Sequence, residues 1–372
     1  MDKDIVIPSD LLPGDGRFAS GPSKVRPEAV AALAGAARSY LGTSHRQAPV
    51  RALVGRLRSG LRELFALPDD YEVVLGVGGT TVFWDAAVAG LIERKSQHLV
   101  FGEFSGKFAS AVQTAPFLLS PDVISSDPGT HPVPVAAEDV DLYALTHNET
   151  STGVVAPVER VAPGAFTAVD ATSAAGAIAV DPRDFDVYYF APQKAFASDG
   201  GLWIALCSPG ALERIERIAA AEGRYIPPSL NLVTALENSR KDQTYNTPAL
   251  ATIFLMVEQI DWMLANGGLG WSVGRSARSA DILYGWAEAS PVAEPFVKDP
   301  AQRSPVVGTI DLSTERDATR IAAVLRSNGV VDTEPYRKLG RNQLRVALYP
   351  AIEPDDVAQL TRCIDYVIDA LG

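Results

Sequence analysis

Val187-Tyr188-Tyr189-Phe190-Ala191-Pro192-Gln193-Lys194 is an apolar run that breaks at Ala-Pro and delivers a single lysine. A short, unbroken apolar segment of this kind reads as a strand buried on both faces. Ala168-Val169-Asp170-Ala171-Thr172-Ser173, just upstream, has the same build and ends in a carboxylate. Outward from this pair, strands are expected at 72–75, 97–101, 122–125, 140–146, 166–170, 186–190 and 202–207. Between and around them, helical patterns fall at about 27–38, 49–66, 81–92, 104–114 and 209–221. Strands alternating with helices predict an α/β fold with a mostly parallel seven-stranded sheet covered on both faces.

Beyond this unit a long helix is expected from Pro248. Its apolar residues Leu250, Ile253, Phe254, Val257, Ile260 and Met263 recur at three- and four-residue spacing, and Gly267-Gly268 is a stop signal. Thr247 as N-cap and Pro248 at the first helical position fit its start. A second helix is expected over 270–289. Strand 306–312, helix 315–328, strand 343–348 and helix 354–371 then form a smaller α+β unit. The expected division is 1–268, a lead-in plus the large domain, and 269–372, the small domain, with the long helix pair between them.

Composition narrows the function classes. Of 372 residues, 47% are hydrophobic and 21% charged, which excludes a disordered chain. Two cysteines, Cys207 and Cys363, and four histidines form no zinc-ligand spacing, so no metal site is expected. The sparse cysteine usage fits a reducing cytoplasm. Lys plus Arg is 33 against 45 acidic residues, a net charge of -12, which disfavours nucleic acid and anionic membranes as partners. The start Met1-Asp2-Lys3-Asp4 has no basic region followed by an apolar run, so no signal peptide is expected. Nor does any apolar stretch reach the roughly 18 residues of a membrane span.

Four features carry chemistry. Gly78-Gly79-Thr80-Thr81 lies at a strand-to-helix turn, where unsatisfied N–H groups attract a phosphate. Asp170 follows a buried strand, on the edge where open α/β sheets bind ligands. Lys194 leaves an apolar strand, and burial there lowers a lysine's pKa and makes it a candidate Schiff-base nucleophile. Tyr245-Asn246-Thr247-Pro248 opens the long helix. Alone, each has a plainer explanation: a tight turn, a helix cap, a lysine reaching solvent, a helix start. Together, a phosphate turn, then Asp170, then Lys194 24 residues later match what pyridoxal phosphate needs: a phosphate anchor, a carboxylate for its pyridine nitrogen and a lysine. Weaker motifs fail on detail. Thr81 stands where a dinucleotide fingerprint starting at Gly76 needs glycine, and Phe108 where a P-loop over 102–108 needs Ser or Thr.

The chain resembles the class V aminotransferases, and among them the phosphoserine aminotransferases of actinobacterial type. The residues concerned are Phe18-Ala19-Ser20-Gly21-Pro22-Ser23-Lys24, Gly42-Thr43-Ser44-His45-Arg46, 147–153 (His-Asn-Glu-Thr-Ser-Thr-Gly), 191–194, 245–248 and Tyr336 to Arg345. The likeness runs from about residue 17 to the last. It implies the fold-type I architecture of pyridoxal-phosphate transferases. It also implies exchange of amino groups between glutamate/2-oxoglutarate and 3-phosphohydroxypyruvate/O-phosphoserine, in serine biosynthesis and often also in vitamin B6 synthesis.

By the same resemblance Lys194 binds the cofactor covalently and shuttles the proton, while Asp170 pairs with the pyridine nitrogen. Thr150 binds the phenolic oxygen, Phe104 stacks on the ring, and Gly79, Thr80 and Gln193 hold the phosphate. Asn246 and Thr247 are implied to reach that phosphate from the other subunit of a homodimer, and Arg345 to clamp the substrate α-carboxylate. Thr80 and Ala195 depart from the arginine and asparagine common in relatives. The segment 336–345 contains Arg337, Lys338, Arg341 and Arg345 and no acid, and His45-Arg46 forms a second cationic spot. In so acidic a protein these read as a pocket for a substrate bearing carboxylate and phosphate. The alternatives are another class V aminotransferase, such as an alanine–glyoxylate or serine–pyruvate enzyme, a cysteine desulfurase, and a non-catalytic anion-binding protein.

Overall fold

A computed structural model describes residues 5–372. Residues 1–4, read above for a signal sequence, lie outside the described residues. Helices α1 (Pro27–Tyr40) and α2 (Ala48–Leu64) precede strand β1 (Glu72–Val77) and helix α3 (Gly79–Gly90). Then come β2 (Ser96–Val100), α4 (Glu103–Gln113), β3 (Asp122–Ser125), β4 (Leu142–Thr146), and the small strands β5 (Asn148–Glu149) and β6 (Val154–Val155). The large unit ends with β7 (Thr167–Asp170), β8 (Val187–Phe190), β9 (Leu202–Cys207), α5 (Pro209–Ala219), α6 (Leu232–Ser239) and α7 (Leu250–Ala265). The seven-stranded sheet has the order β1-β9-β8-β7-β4-β2-β3. All its neighbours pair in parallel except around β9, which runs antiparallel to both β1 and β8.

Period-two alternation sorts the strand residues between two cores. Tyr188 and Phe190 of β8, with Leu202, Ile204 and Leu206 of β9, enter the core shared with α2 and α7. Val187 and Tyr189, with Trp203, Ala205 and Cys207, enter the opposite core with α3, α5 and α6. Both faces of these strands are therefore dry, as the unbroken apolar sequence requires. The chain enters the sheet repeatedly in one direction, so the C-terminal ends of β1, β4, β7 and β8 share one edge, and the site lies there.

Helix α8 (Gly268–Ala289) follows α7 through Asn266 and Gly267. It begins against the large core at Leu269 and Trp271 and ends in a third core at Leu283, Tyr284 and Ala287. That core belongs to β10 (Ala293–Pro295), β11 (Val307–Leu312), α9 (Ala318–Ser327), β12 (Gln343–Ala347) and α10 (Pro354–Leu371). The three strands form an antiparallel sheet in the order β10-β11-β12.

Two expectations need correction. The lead-in, grouped with the large domain, packs on the small one: Ile7 and Phe18 belong to its core, and Phe18 N–H donates to Val331 O at 3.2 Å. The long helix starts at Leu250 with Ala249 as N-cap, so Thr247 and Pro248 precede it. The segments that sequence periodicity missed are short or irregular: α6, β10 and the β5–β6 hairpin.

Candidate active site

The end of β8 sets the first group. After Phe190 the chain turns through Ala191-Pro192, and Lys194 comes to rest buried, its Nζ donating to Ser20 O at 2.5 Å. Gly21 takes a φ of 141°, which side-chain-bearing residues rarely adopt, and a Cβ there would also lie 2.3 Å from that Nζ, so glycine lets the lead-in pass over the lysine. Burial, and to a lesser extent the charge of Arg345, pull the Lys194 pKa down to about 7, against a smaller opposing pull from Asp170. The amine therefore exchanges protons near neutral pH.

Asp170 ends the adjacent strand β7. Its Oδ1 accepts from Thr172 N at 2.9 Å and Thr172 Oγ1 at 2.6 Å, an Asx-type turn. Its Oδ2 accepts from Trp84 Nε1 at 3.1 Å. Burial raises its pKa, partly offset by these bonds, and no cation among the described residues lies within ion-pair distance. Trp84 had no role in the sequence reading. It sits one helical turn after Thr80 on α3, a spacing that places both side chains on one face.

Helix α3 closes the third side. Gly78 and Gly79 adopt positive φ values of 107° and 76°, which only glycine takes readily, and no side chain caps the helix. The first N–H groups of α3 thus face the sheet edge beside buried Thr80. Thr150 projects from the β5–β6 hairpin, its Oγ1 donating to Ser173 Oγ at 2.9 Å. Lys194, Asp170, Thr80, Phe104, Thr150 and Gln193 border one cavity of about 320 Å³, and Gly79 adjoins it.

The remaining candidates fall outside this lining. Arg345, on β12, approaches from the small domain: its Nη1 donates to Thr150 O at 3.3 Å, its Nε is buried without a partner, and its guanidinium lies 5.2 Å from the Tyr336 ring centre. The acid-free segment 336–345 meets acids in space. Lys338 pairs with Glu103 at the start of α4, and Arg341 pairs with Asp311 and stacks over Phe296. Only Arg337 in that group stands exposed without an ion pair among the described residues. The dense free charge read from the sequence is therefore reduced, because its neutralising acids lie thirty residues away or more than two hundred.

His45 and Arg46 also lie outside the cavity. Arg46 Nη1 donates to Gln243 Oε1 at 2.7 Å, close in sequence to exposed Asn246 and Thr247. Burial and, after it, the Arg46 charge lower the His45 pKa from the ordinary imidazole value, which disfavours its charged form.

The sequence profile described as aminotransferase class-V matches residues 133–333. A phosphoserine aminotransferase of Nocardioides sp. is 63% identical over 369 residues, covering 98% of each chain. The chain belongs to the phosphoserine aminotransferases of the class-V aminotransferase family. Among solved structures, a phosphoserine aminotransferase from Cytophaga hutchinsonii superposes with a TM-score of 0.88 at 24% identity, covering 96% of this chain and 100% of that one. An alanine–glyoxylate aminotransferase from Nostoc sp. also superposes, with a TM-score of 0.78 at 20% identity over 98% and 96% of the two chains. Fold alone does not set the substrate.

Proposed function

We propose that this chain is a cytoplasmic, homodimeric pyridoxal-phosphate enzyme. It transfers the amino group of O-phospho-L-serine to 2-oxoglutarate, reversibly, in serine biosynthesis, and it serves the phosphorylated hydroxythreonine of vitamin B6 synthesis in the same pocket. The observation that carries this reading is the meeting of Lys194, Asp170 and the uncapped start of α3 around one cavity. The residues fit the cofactor. Asp170 is a buried carboxylate that lacks a cation, and the α3 N–H groups suit a phosphate. Gln193 Oε1 and Asn148 Oδ1, beside the cavity, are buried without hydrogen-bond partners among the described residues.

When bound, pyridoxal phosphate supplies an electron-withdrawing ring that weakens the bonds at the substrate α-carbon. Asp170, held by Trp84 and Thr172, would stabilise positive charge on the ring nitrogen. Lys194 Nζ, near its pKa at neutral pH, would take up the substrate's α-proton and hold it for return. Phe104 and Thr150 would hold the ring, while Gly79, Thr80 and Gln193 would hold the phosphate. Arg345 receives the α-carboxylate through paired N–H groups. Arg46 and Arg337 receive the distal anion, with His45 as a neutral donor and Lys338 and Arg341 in supporting positions.

Geometry supports the dimer reading. His45, Arg46, Asn246 and Thr247 share a surface but border no part of their own chain's cavity. They are proposed to complete the partner's. Mixing Lys194→Ala protein with an Asn246→Ala/Thr247→Ala variant tests this: one intact site per heterodimer restores part of the activity, and no recovery after verified subunit exchange refutes it. The activity itself is tested with purified protein, glutamate and a panel of 3-phosphohydroxypyruvate, pyruvate and glyoxylate. Preference for the phosphorylated acceptor is expected, and a preference for glyoxylate or pyruvate assigns the other class-V specificity. Borohydride reduction of the holoenzyme must label Lys194. A different labelled lysine overturns the site.

A further inference from the structure

Glu149 is a fully buried carboxylate with no part in the proposed reaction. Burying a charge is costly unless donors surround it. Here Oε2 accepts from Phe104 N at 3.1 Å, Ser105 N at 2.9 Å and Ser105 Oγ at 3.0 Å. Oε1 accepts from Ser151 N at 3.1 Å and Ser151 Oγ at 2.7 Å. The first three donors are the opening turn of α4. A helix N-terminus favours an anion, through its free N–H groups and its dipole. The last two belong to the hairpin that carries Thr150. Ser151 Oγ accepts in turn from Glu103 N at 3.0 Å, a second tie between hairpin and helix.

Phe104 and Thr150 come from elements 46 residues apart, yet both border the cavity. Glu149 is the group that bonds to both of their main-chain surroundings. Gly102 supports the same joint: a Cβ there would lie 2.3 Å from Glu149 Cγ and 2.5 Å from Ser151 Oγ. The backbone at Gly102 is extended, with φ 177°, so any residue can adopt it and only space demands glycine.

From this geometry we infer that Glu149 is a positioning residue, a carboxylate clasp that sets the separation and tilt of Phe104 relative to Thr150 and so holds the cofactor ring between them. This rests on the reading of the cavity as a pyridoxal-phosphate site. Glutamine in its place presents one acceptor and an NH2 group, which would face N–H donors on one side, so one half of the clasp must open.

The test uses apoprotein titrated with pyridoxal phosphate and the visible circular dichroism of the saturated holoenzyme. The dissociation constant of Glu149→Gln should rise about tenfold or more, the loss of roughly one charge-assisted hydrogen bond. Its cofactor dichroism at saturation should be weakened or shifted, because the ring is no longer held at one tilt. Gly102→Ala, which displaces the carboxylate without changing charge, should show the same signature. Ser151→Ala keeps all three bonds of Glu149 to α4, losing the Glu103 N tie and one bond within the hairpin, and should give the smaller change. Dissociation constants within twofold of wild type and an unaltered dichroism band in both Glu149→Gln and Gly102→Ala overturn the inference. So does an effect of Ser151→Ala equal to that of Glu149→Gln, which marks general loosening. If Glu149→Gln does not fold, Gly102→Ala decides by the same two readouts. Failure of the wild-type protein to bind pyridoxal phosphate through Lys194 instead overturns the functional reading, which separates the two failures.

Discussion

The inner wall and the outer rim of the site are built by different means. The inner wall consists of Lys194, Asp170, Thr80 and Thr150: short reaches from strand ends or from the turns that follow, all buried, all from one chain. The rim consists of long cationic side chains on loops. Lys338 and Arg341 are already engaged with Glu103 and Asp311, and Arg46 and His45 lie on a separate surface. Main-chain geometry fixes the wall, so its chemistry is settled when the sheet forms. The rim depends on ion-pair exchange and, in the proposed dimer, on a second subunit. Reaction type should therefore be robust here, and substrate preference adjustable.

The sharpest way to break this contrast is Lys194→Ala. It should lower turnover by roughly 10⁴-fold or more, as loss of a group that acts covalently and as a base does. A turnover within tenfold of wild type would show that the wall does not hold the reacting group.

Asp170→Asn comes next. It keeps the shape and the Thr172 contact but removes charge in a dry site, so the rate should fall by about 10²–10³-fold with the cofactor still bound. Stopped-flow single turnovers with glutamate measure this directly.

Arg345→Ala bridges wall and rim. It should weaken glutamate and phosphoserine alike, by about ten- to a hundredfold in the specificity constant, since both present the same carboxylate. It should also alter a proton equilibrium. With Lys194 depressed to about 7, cofactor capture by apoprotein needs the neutral amine, so its rate should climb as pH rises through that value and then level. Removing the Arg345 charge takes away one of the influences that lower this pKa, so the midpoint should move to higher pH. A midpoint that stays put or drops would show that the two groups are not coupled.

The smallest effects belong to the rim. Arg337→Ala should reduce the phosphoserine-to-glutamate preference by about tenfold, the worth of one charge-assisted bond. Lys338→Ala and Arg341→Ala should change it less, because each charge is already offset by an acid and exposed pairs contribute little. Equal ratios in all three variants would make the rim a solvated surface.

The same contrast decides what could be read from sequence. The strands were legible because β8 and β9 are apolar throughout, and a strand buried on both faces leaves no other reading. Asp170 and Lys194 were legible because one ends a buried strand and the other comes four residues after one. The antiparallel direction of β9 was not, since strand composition carries no sign of direction. Nor were the partners of Lys338 and Arg341, which are set by tertiary packing. Thr247-Pro248 looked like a helix start because cap preferences are local, whereas the helix begins two residues later. Trp84 could have been found from its four-residue spacing to Thr80. Tyr336, between Phe104 and Arg345, had no local signal.

The segment that crosses Lys194 comes from the opposite end of the sequence to the surface that holds it. Gly16 packs so closely on Gly329 that a Cβ would lie 2.1 Å from its carbonyl oxygen, and Ala347 N–H donates to Phe18 O at 3.0 Å. Tyr349 OH then bonds the same Ser20 carbonyl that receives Lys194 Nζ. During synthesis, the residues made first must wait for those near 330–349 before they have anything to lie against. The large sheet can condense earlier, with its lysine still uncovered. The lead-in, though translated first, can therefore settle over the lysine only after the residues near 330–349 have been made.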